Sequence, residues 1–215
     1  MNTETQEKDV TLRDFLDALA AANATPGGGS VSALAGCMGA ALVEMVMNLT
    51  LGKKGFEGQE SELKRIQADA HSSREALTQT IEQDSLAYQA VMEAFLLPKT
   101  NDAEKKKRKE EIQHALKKAA DPPLFTAATS LKVMKLCQRA VEIGNPNAVS
   151  DAAVGALMAD AAMGGGIFNV LINLSALDDK YYVQKMKKEL GRLEQEGEKI
   201  KAQVMARIRE KINSK

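Results

Sequence analysis

The sequence predicts an all-α protein, a single-domain helical bundle of about six or seven helices over residues 1–215, with no sheet. Three observations point there. No stretch alternates Val, Ile and Thr between turn residues, as a half-buried strand would. Apolar residues instead recur at helical spacing along most of the chain. The composition is 44% hydrophobic but only 4% aromatic, with no Trp. A core of Ala, Leu, Val, Ile and Met favours close helix–helix packing over a β-sandwich.

The elements follow in order. Residues 11–22 read as a short amphipathic helix, with Thr11 as N-cap, Asp14 three residues later, and Leu12, Phe15, Leu16 and Leu19 on one face. The turn Pro26-Gly27-Gly28-Gly29-Ser30 then leads into an apolar helix over 31–51, with Ser30 placed to cap it. Three glycines in a row imply either unusual dihedrals or close approach of another group to the backbone. Free N–H groups at this helix start would face anything anionic or carbonyl-bearing. Inside the helix, Ala33, Gly36, Gly39, Ala40 and Ala41 recur at helical spacing, so another backbone can come close.

Gly52-Lys53-Lys54-Gly55 ends that helix. A long helix over 60–97 carries Leu63, Ile66, Ala70, Leu77, Ile81, Ala87, Val91 and Phe95 roughly on one side, and Pro98 stops it. Residues 101–118 are highly charged, the pattern of a solvated helix face. Asp121-Pro122-Pro123 breaks the chain before a helix over 124–143, which stops at Gly144-Asn145-Pro146-Asn147. Ser150-Asp151 opens a helix to about 177. Its Gly164-Gly165-Gly166 run costs on the order of 3 kcal/mol relative to Ala, which is offset by close packing or tolerated as a distortion near a site. Residues 178–215 form a last helix with a narrow stripe of Leu190, Leu193, Ile200, Val204 and Ile208.

Several function classes are disfavoured. Lys and Arg number 29 and Asp and Glu 29, so no basic excess suggests nucleic acid. Residues 31–51 have about the length of a membrane span, but Glu44, Ser32, Asn48 and Thr50 interrupt them, which favours a buried helix and no membrane partner. Residues 1–9 are polar and lack an apolar signal region, so a cytoplasmic location is expected. Cys37 and Cys137 read as buried reduced thiols. His71 and His114 stand alone on charged helices and suggest no metal site. The glycine turn follows no strand, and Gly52-Lys53-Lys54 lacks the rest of a phosphate loop.

What remains is a set of polar residues that the core pattern does not explain. Lys53 and Lys54 either complement a helix dipole or bind an anion. Asp84 and Tyr88 lie one turn apart, and Asp84 by itself also reads as a surface residue. Lys99 follows Pro98 at a helix end. Asn145 and Asn147 lie in a turn, where Asn is common. Asp151 stands at a helix start, where the dipole favours a carboxylate. Asn169 and Asn173, one turn apart in an apolar helix, are core network or ligand contacts.

Taken together, PGGGS (26–30), NLTLGKK (48–54), DSLAY (84–88), LPK (97–99), PPL (122–124), GN (144–145) with SDA (150–152), and FNVLINL (168–174) resemble the cyclodeaminase/cyclohydrolase family of tetrahydrofolate enzymes. The resemblance covers nearly the whole chain. It implies an all-helical homodimer acting on a folate without a metal. Two reactions are implied: hydrolysis of 5,10-methenyltetrahydrofolate to 10-formyltetrahydrofolate, or closure of 5-formiminotetrahydrofolate to the methenyl compound with loss of ammonia. The missing transferase domain favours the first. A non-catalytic helical interaction protein is the alternative of another class.

The resemblance also implies roles. Asp84 or Asp151 would stabilise the amidinium cation, act as general base or anchor the pterin. Lys99 would donate a proton or hold a neighbour ionised. Gly27, Gly28, Gly29 and Ser30 would contact the folate, Lys53 and Lys54 its anionic glutamate tail, and Asn145, Asn169 and Asn173 the pterin or one-carbon unit.

Overall fold

The computed structural model describes residues 10–213. Seven α-helices follow one another: α1 (Leu12–Ala20), α2 (Gly28–Asn48), α3 (Glu60–Leu96), α4 (Asp102–Ala119), α5 (Asp121–Ile143), α6 (Val149–Ser175) and α7 (Lys180–Asn213). Short 3-10 turns at Glu57–Gln59 and Pro146–Ala148 precede α3 and α6, and no strand occurs among the described residues. The expectations resting on residues 1–9, and on the last two residues of the final helix, lie outside that range.

Antiparallel α2 and α6 form the centre, and their small residues explain how close they lie. A Cβ on Gly39 would fall 2.8 Å from the Gly155 carbonyl oxygen, and one on Gly155 would fall 3.1 Å from that of Gly39. The two backbones touch where no side chain fits. Helix α3 also runs antiparallel to α2, on its other flank, since Ser30 bonds Asp84 and Glu44 bonds Arg74. Helix α5 lies beneath, against Gly166 of α6, whose Cβ would meet the Pro123 carbonyl at 2.7 Å. The α7 stripe of Leu190, Leu193, Ile200, Val204 and Ile208 is buried as its spacing predicts. Buried residues from α2 to α7 join into one continuous core.

Several expectations change. Helix α2 begins at Gly28, three residues earlier than expected, with Gly27 as N-cap. Ser30 is therefore no cap; it lies fully buried in the first turn. None of the three glycines has the left-handed backbone that glycine favours, which among the described residues occurs only at Gly52 (φ 73°) and Gly55 (φ 94°). Close approach is the reason for glycine here, as described below. Finally, α1 has its Thr11–Asp14 capping box but buries none of its residues. Phe95, grouped with the inward stripe of α3, is exposed.

The glycine run in α6 is helical throughout. Gly165 makes room for the Ser32 side chain and Gly166 for α5, whereas a Cβ on Gly164 would meet open space. Packing therefore accounts for two of the three. Cys37 and Cys137 are buried free thiols, and burial pushes both thiols up, away from reactive thiolate.

Candidate functional site

A cleft of about 330 Å³ opens where the start of α2 meets α3, the end of α4 and the last third of α6. It is lined by Gly27, Gly28 and Gly29, Asp84 and Tyr88, Ala119, and Asn169 with Asn173. The chain enters α2 through a cis Thr25–Pro26 peptide.

Among the described residues, Asp84 is the only carboxylate in this lining. The Ser30 hydroxyl lies 3.2 Å from Asp84 Oδ2 and 3.1 Å from the Ile81 carbonyl oxygen, with Ser85 Oγ at 3.4 Å. Its single proton goes to one of these oxygens at a time. The glycines make this placement possible, because a Cβ on Gly29 would overlap the Asp84 carboxylate. Asp84 so reaches the first turn of α2, where unpaired backbone N–H groups favour an anion. Burial nonetheless pushes its carboxyl above the ordinary value, with hydrogen bonds from the Ser30 side chain and backbone opposing part of that rise. Among the described residues, no lysine, arginine or histidine lines the cleft.

The two asparagines are oriented by their partners. Asn169 Nδ2 donates to the Gly165 carbonyl at 2.8 Å. Asn173 Nδ2 donates to the carbonyls of Ala119 and Asn169, both at 3.0 Å. A carbonyl partner can be met only by the amide nitrogen, so each Oδ1 is left over as an acceptor. Asn173 also ties the end of α4 to α6. The cleft thus gathers acceptors (one carboxylate and two amide oxygens) beside the backbone N–H groups of a helix start. It suits a flat ring rich in N–H donors that carries, or develops, positive charge.

The structure brings Gly27, Gly28, Gly29, Ser30, Asp84, Asn169 and Asn173 together. The other candidates lie elsewhere in the same chain. Lys53 and Lys54 are exposed beyond the far end of α2, about 30 Å along the helix from Gly28. Asp151 opens α6 at that same far end and is half-buried. Asn145 is buried there as a fastener: its backbone N–H donates to Thr50 Oγ1 at 2.9 Å and its Nδ2 to the Leu49 carbonyl at 3.0 Å. Its Oδ1 accepts from Asn147 N–H at 3.0 Å, so the side chain is fully engaged. Lys99 is exposed in the α3–α4 turn, more than about 18 Å along α3 from Asp84.

Thr25, Ala119 and Ile172 also line the cleft and were not singled out from sequence. Ile172 carried a usable signal: it shares a helical face with Phe168, and both are strongly exposed.

Fold and cleft together define an all-helical protein with an acceptor-rich cleft. The family described as Formiminotransferase-cyclodeaminase matches residues 11–192, and the chain belongs to that family. It is 40% identical over 203 residues to the methenyltetrahydrofolate cyclohydrolase of Methylorubrum extorquens, spanning 94% of this chain and 98% of that protein. It is 33% identical over 200 residues to the formimidoyltransferase-cyclodeaminase of Mus musculus, covering 93% of this chain but only 37% of that longer protein. The crystal structure of formiminotetrahydrofolate cyclodeaminase from Thermotoga maritima is similar at a TM-score of 0.86 and 31% identity, covering 95% of this chain and 98% of that one.

Proposed function

We propose that the chain is a homodimeric, cytoplasmic tetrahydrofolate one-carbon enzyme that hydrolyses 5,10-methenyltetrahydrofolate to 10-formyltetrahydrofolate. The observation that carries this reading is Asp84, a half-buried carboxylate with no cation beside it among the described residues, in a cleft of acceptors. The substrate supplies the missing cation, because its methenyl carbon sits in a charged amidinium between N5 and N10. A cleft of about 330 Å³ is at the small end of ligand sites, so it takes the pterin end and leaves the rest of the folate outside.

The chemistry then runs on proton transfer and calls for no metal. Asp84 attracts the cation and takes a proton from water as the water oxygen bonds to the methenyl carbon. A carboxyl raised by burial is a better base than an ordinary one. The protonated Asp84 returns the proton to N5. The carbon–N5 bond breaks as the Asp84 carboxylate takes the hydroxyl proton and passes it to solvent, giving a formyl group on N10 and one released proton. The Oδ1 atoms of Asn169 and Asn173 accept from ring N–H groups and hold the pterin.

Formiminotetrahydrofolate cyclodeaminase is the second reading, favoured by the name of the similar Thermotoga maritima protein. The same carboxylate would serve it, with N10 adding to the formimino carbon and ammonia leaving. Two assays separate these readings. Loss of 5,10-methenyltetrahydrofolate near-ultraviolet absorbance, without ammonia release from 5-formiminotetrahydrofolate, supports the cyclohydrolase. Ammonia release alone reverses the order, and inactivity in both sinks the enzyme reading.

A further inference from the structure

Tyr88 lines the same cleft as Asp84, and the hydrolysis proposed above gives it no task. It follows Asp84 by four residues on α3. The two side chains therefore leave the helix on one face, with Cβ atoms about 5–6 Å apart. The Tyr88 side chain is 41% exposed. Among the described residues, it is the only aromatic group in the cleft lining. Phe125, Phe168 and Tyr181 are exposed too, but none of them lines this cleft.

The face of an aromatic ring carries negative charge density and attracts a cation held over it within about 6 Å. The chain makes this contact twice elsewhere. The Arg108 guanidinium lies 5.7 Å from the centre of the Phe95 ring, and Lys117 Nζ lies 5.1 Å from that of Tyr182. Both of those rings are occupied by the protein's own cations. Tyr88 has none to draw on, since no basic side chain among the described residues lines the cleft. A carboxylate and an aromatic ring, one turn apart and open to the same cleft, make a two-part site for a cation from outside. The ring suits a planar, delocalised charge in particular. Guanidinium groups stack on aromatic faces for this reason, and an amidinium has the same character.

We infer that the Tyr88 ring holds the amidinium of 5,10-methenyltetrahydrofolate beside Asp84 and makes the cleft prefer this cationic substrate to its product. This rests on the cyclohydrolase reading. The contact belongs to the bound cation. It fades as water adds to the methenyl carbon, because the tetrahedral adduct no longer carries the amidinium charge. It therefore lowers KM without raising kcat. The one-carbon unit of 10-formyltetrahydrofolate is uncharged, so the product gains nothing from the ring and leaves more easily. Tyr88 sets specificity in this account, and Asp84 carries the proton.

Substitutions at position 88 test this. The variants are Tyr88→Phe, Tyr88→Leu, and chains with monofluoro- or trifluorophenylalanine in place of Tyr88. Fluorine draws charge off the ring face with little change in size. For each, kcat and KM for 5,10-methenyltetrahydrofolate are measured, with the inhibition constant of 10-formyltetrahydrofolate. Tyr88→Phe should keep KM within about twofold of the parent. Tyr88→Leu should raise KM about five- to thirtyfold, with kcat and the product's inhibition constant within about twofold. KM should climb with the number of fluorines. Should Tyr88→Leu lose helicity, the fluorinated chains decide. A KM indifferent to fluorination, or unchanged in Tyr88→Leu, would overturn the inference. So would an equal loss of substrate and product binding, or a Tyr88→Phe as weak as Tyr88→Leu, which would assign the effect to the hydroxyl. A wild type inactive towards 5,10-methenyltetrahydrofolate removes the functional reading and this inference with it; an active wild type with any of the four contrary results removes this inference alone.

Discussion

Gly29 and Asp84 occupy one volume: a Cβ on the glycine would overlap the carboxylate. The missing side chain at one position is what lets the other residue approach the start of a helix. Gly29→Ala must therefore push Asp84 out of the cleft, although Ala suits a helix better than Gly. Turnover should fall by at least about tenfold, at a stability cost of about 1–3 kcal/mol from overpacking. Steady-state rates and urea unfolding of the same preparation check both. An active, fully stable Gly29→Ala would show that the carboxylate does not need this place.

Stability should respond differently to removal of the charge. Burial raises the Asp84 carboxyl, so its ionisation counts against folding. Its contribution is most favourable below the unfolded-state value and is lost as pH rises through the raised folded-state value. At neutral pH, Asp84→Asn should unfold at the same temperature as the parent or higher. Thermal unfolding at pH 7 measures this, and a clear drop would mean that the ionised carboxylate holds the fold together.

The α2–α6 contact should tolerate no added bulk. Gly39→Ala places a methyl group 2.8 Å from the Gly155 carbonyl oxygen, at a cost of about 1–3 kcal/mol. Gly164→Ala, whose Cβ meets open space, should instead stabilise by up to about 1 kcal/mol through helix propensity. Chemical denaturation of the two variants should move in opposite directions.

Asn173 joins the α4 end to α6 through Ala119. Asn173→Ala should raise KM several-fold more than it lowers kcat, because in the proposed function the residue holds the ring and the cleft wall and does not touch the reacting carbon. A loss confined to kcat would place it in the chemistry instead.

Helices and capping were readable from sequence because they depend on neighbours within a turn or two. Thr11 with Asp14, Pro98 as a stop, and the α7 stripe all work at that range. The purpose of the glycines was not readable, since Gly29 answers to Asp84 more than fifty residues away. Ser30 misled for the same reason: a serine before an apolar run has the look of a cap, yet its hydroxyl faces α3. Asp84, Asn169 and Asn173 were found as polar residues in unexpected places, and the structure brings them into one cleft. Asn145 gave the same signal while serving as a fastener between two helix ends. Lys53, Lys54 and Asp151 gather at the opposite end of the chain, a separation that no local pattern could show.

The proposed homodimer predicts a clean separation of assembly from folding. Met38 is half-exposed midway along α2, so Met38→Glu buries no charge within one chain. It should yield folded monomers by sedimentation, with unchanged helicity. A wild type that sediments as a monomer at micromolar concentration would remove the dimer.

The pH dependence of 5,10-methenyltetrahydrofolate hydrolysis, in the parent and in Asp84→Asn, tests the central claim most directly. If Asp84 is the base, the parent loses kcat/KM on the acid side with a midpoint above the ordinary 3.8 of an aspartate. The Asn variant should be slower by about 100-fold or more with that acid limb gone. A variant that keeps near-parental rates and the same acid limb would contradict the account and move the chemistry away from this cleft.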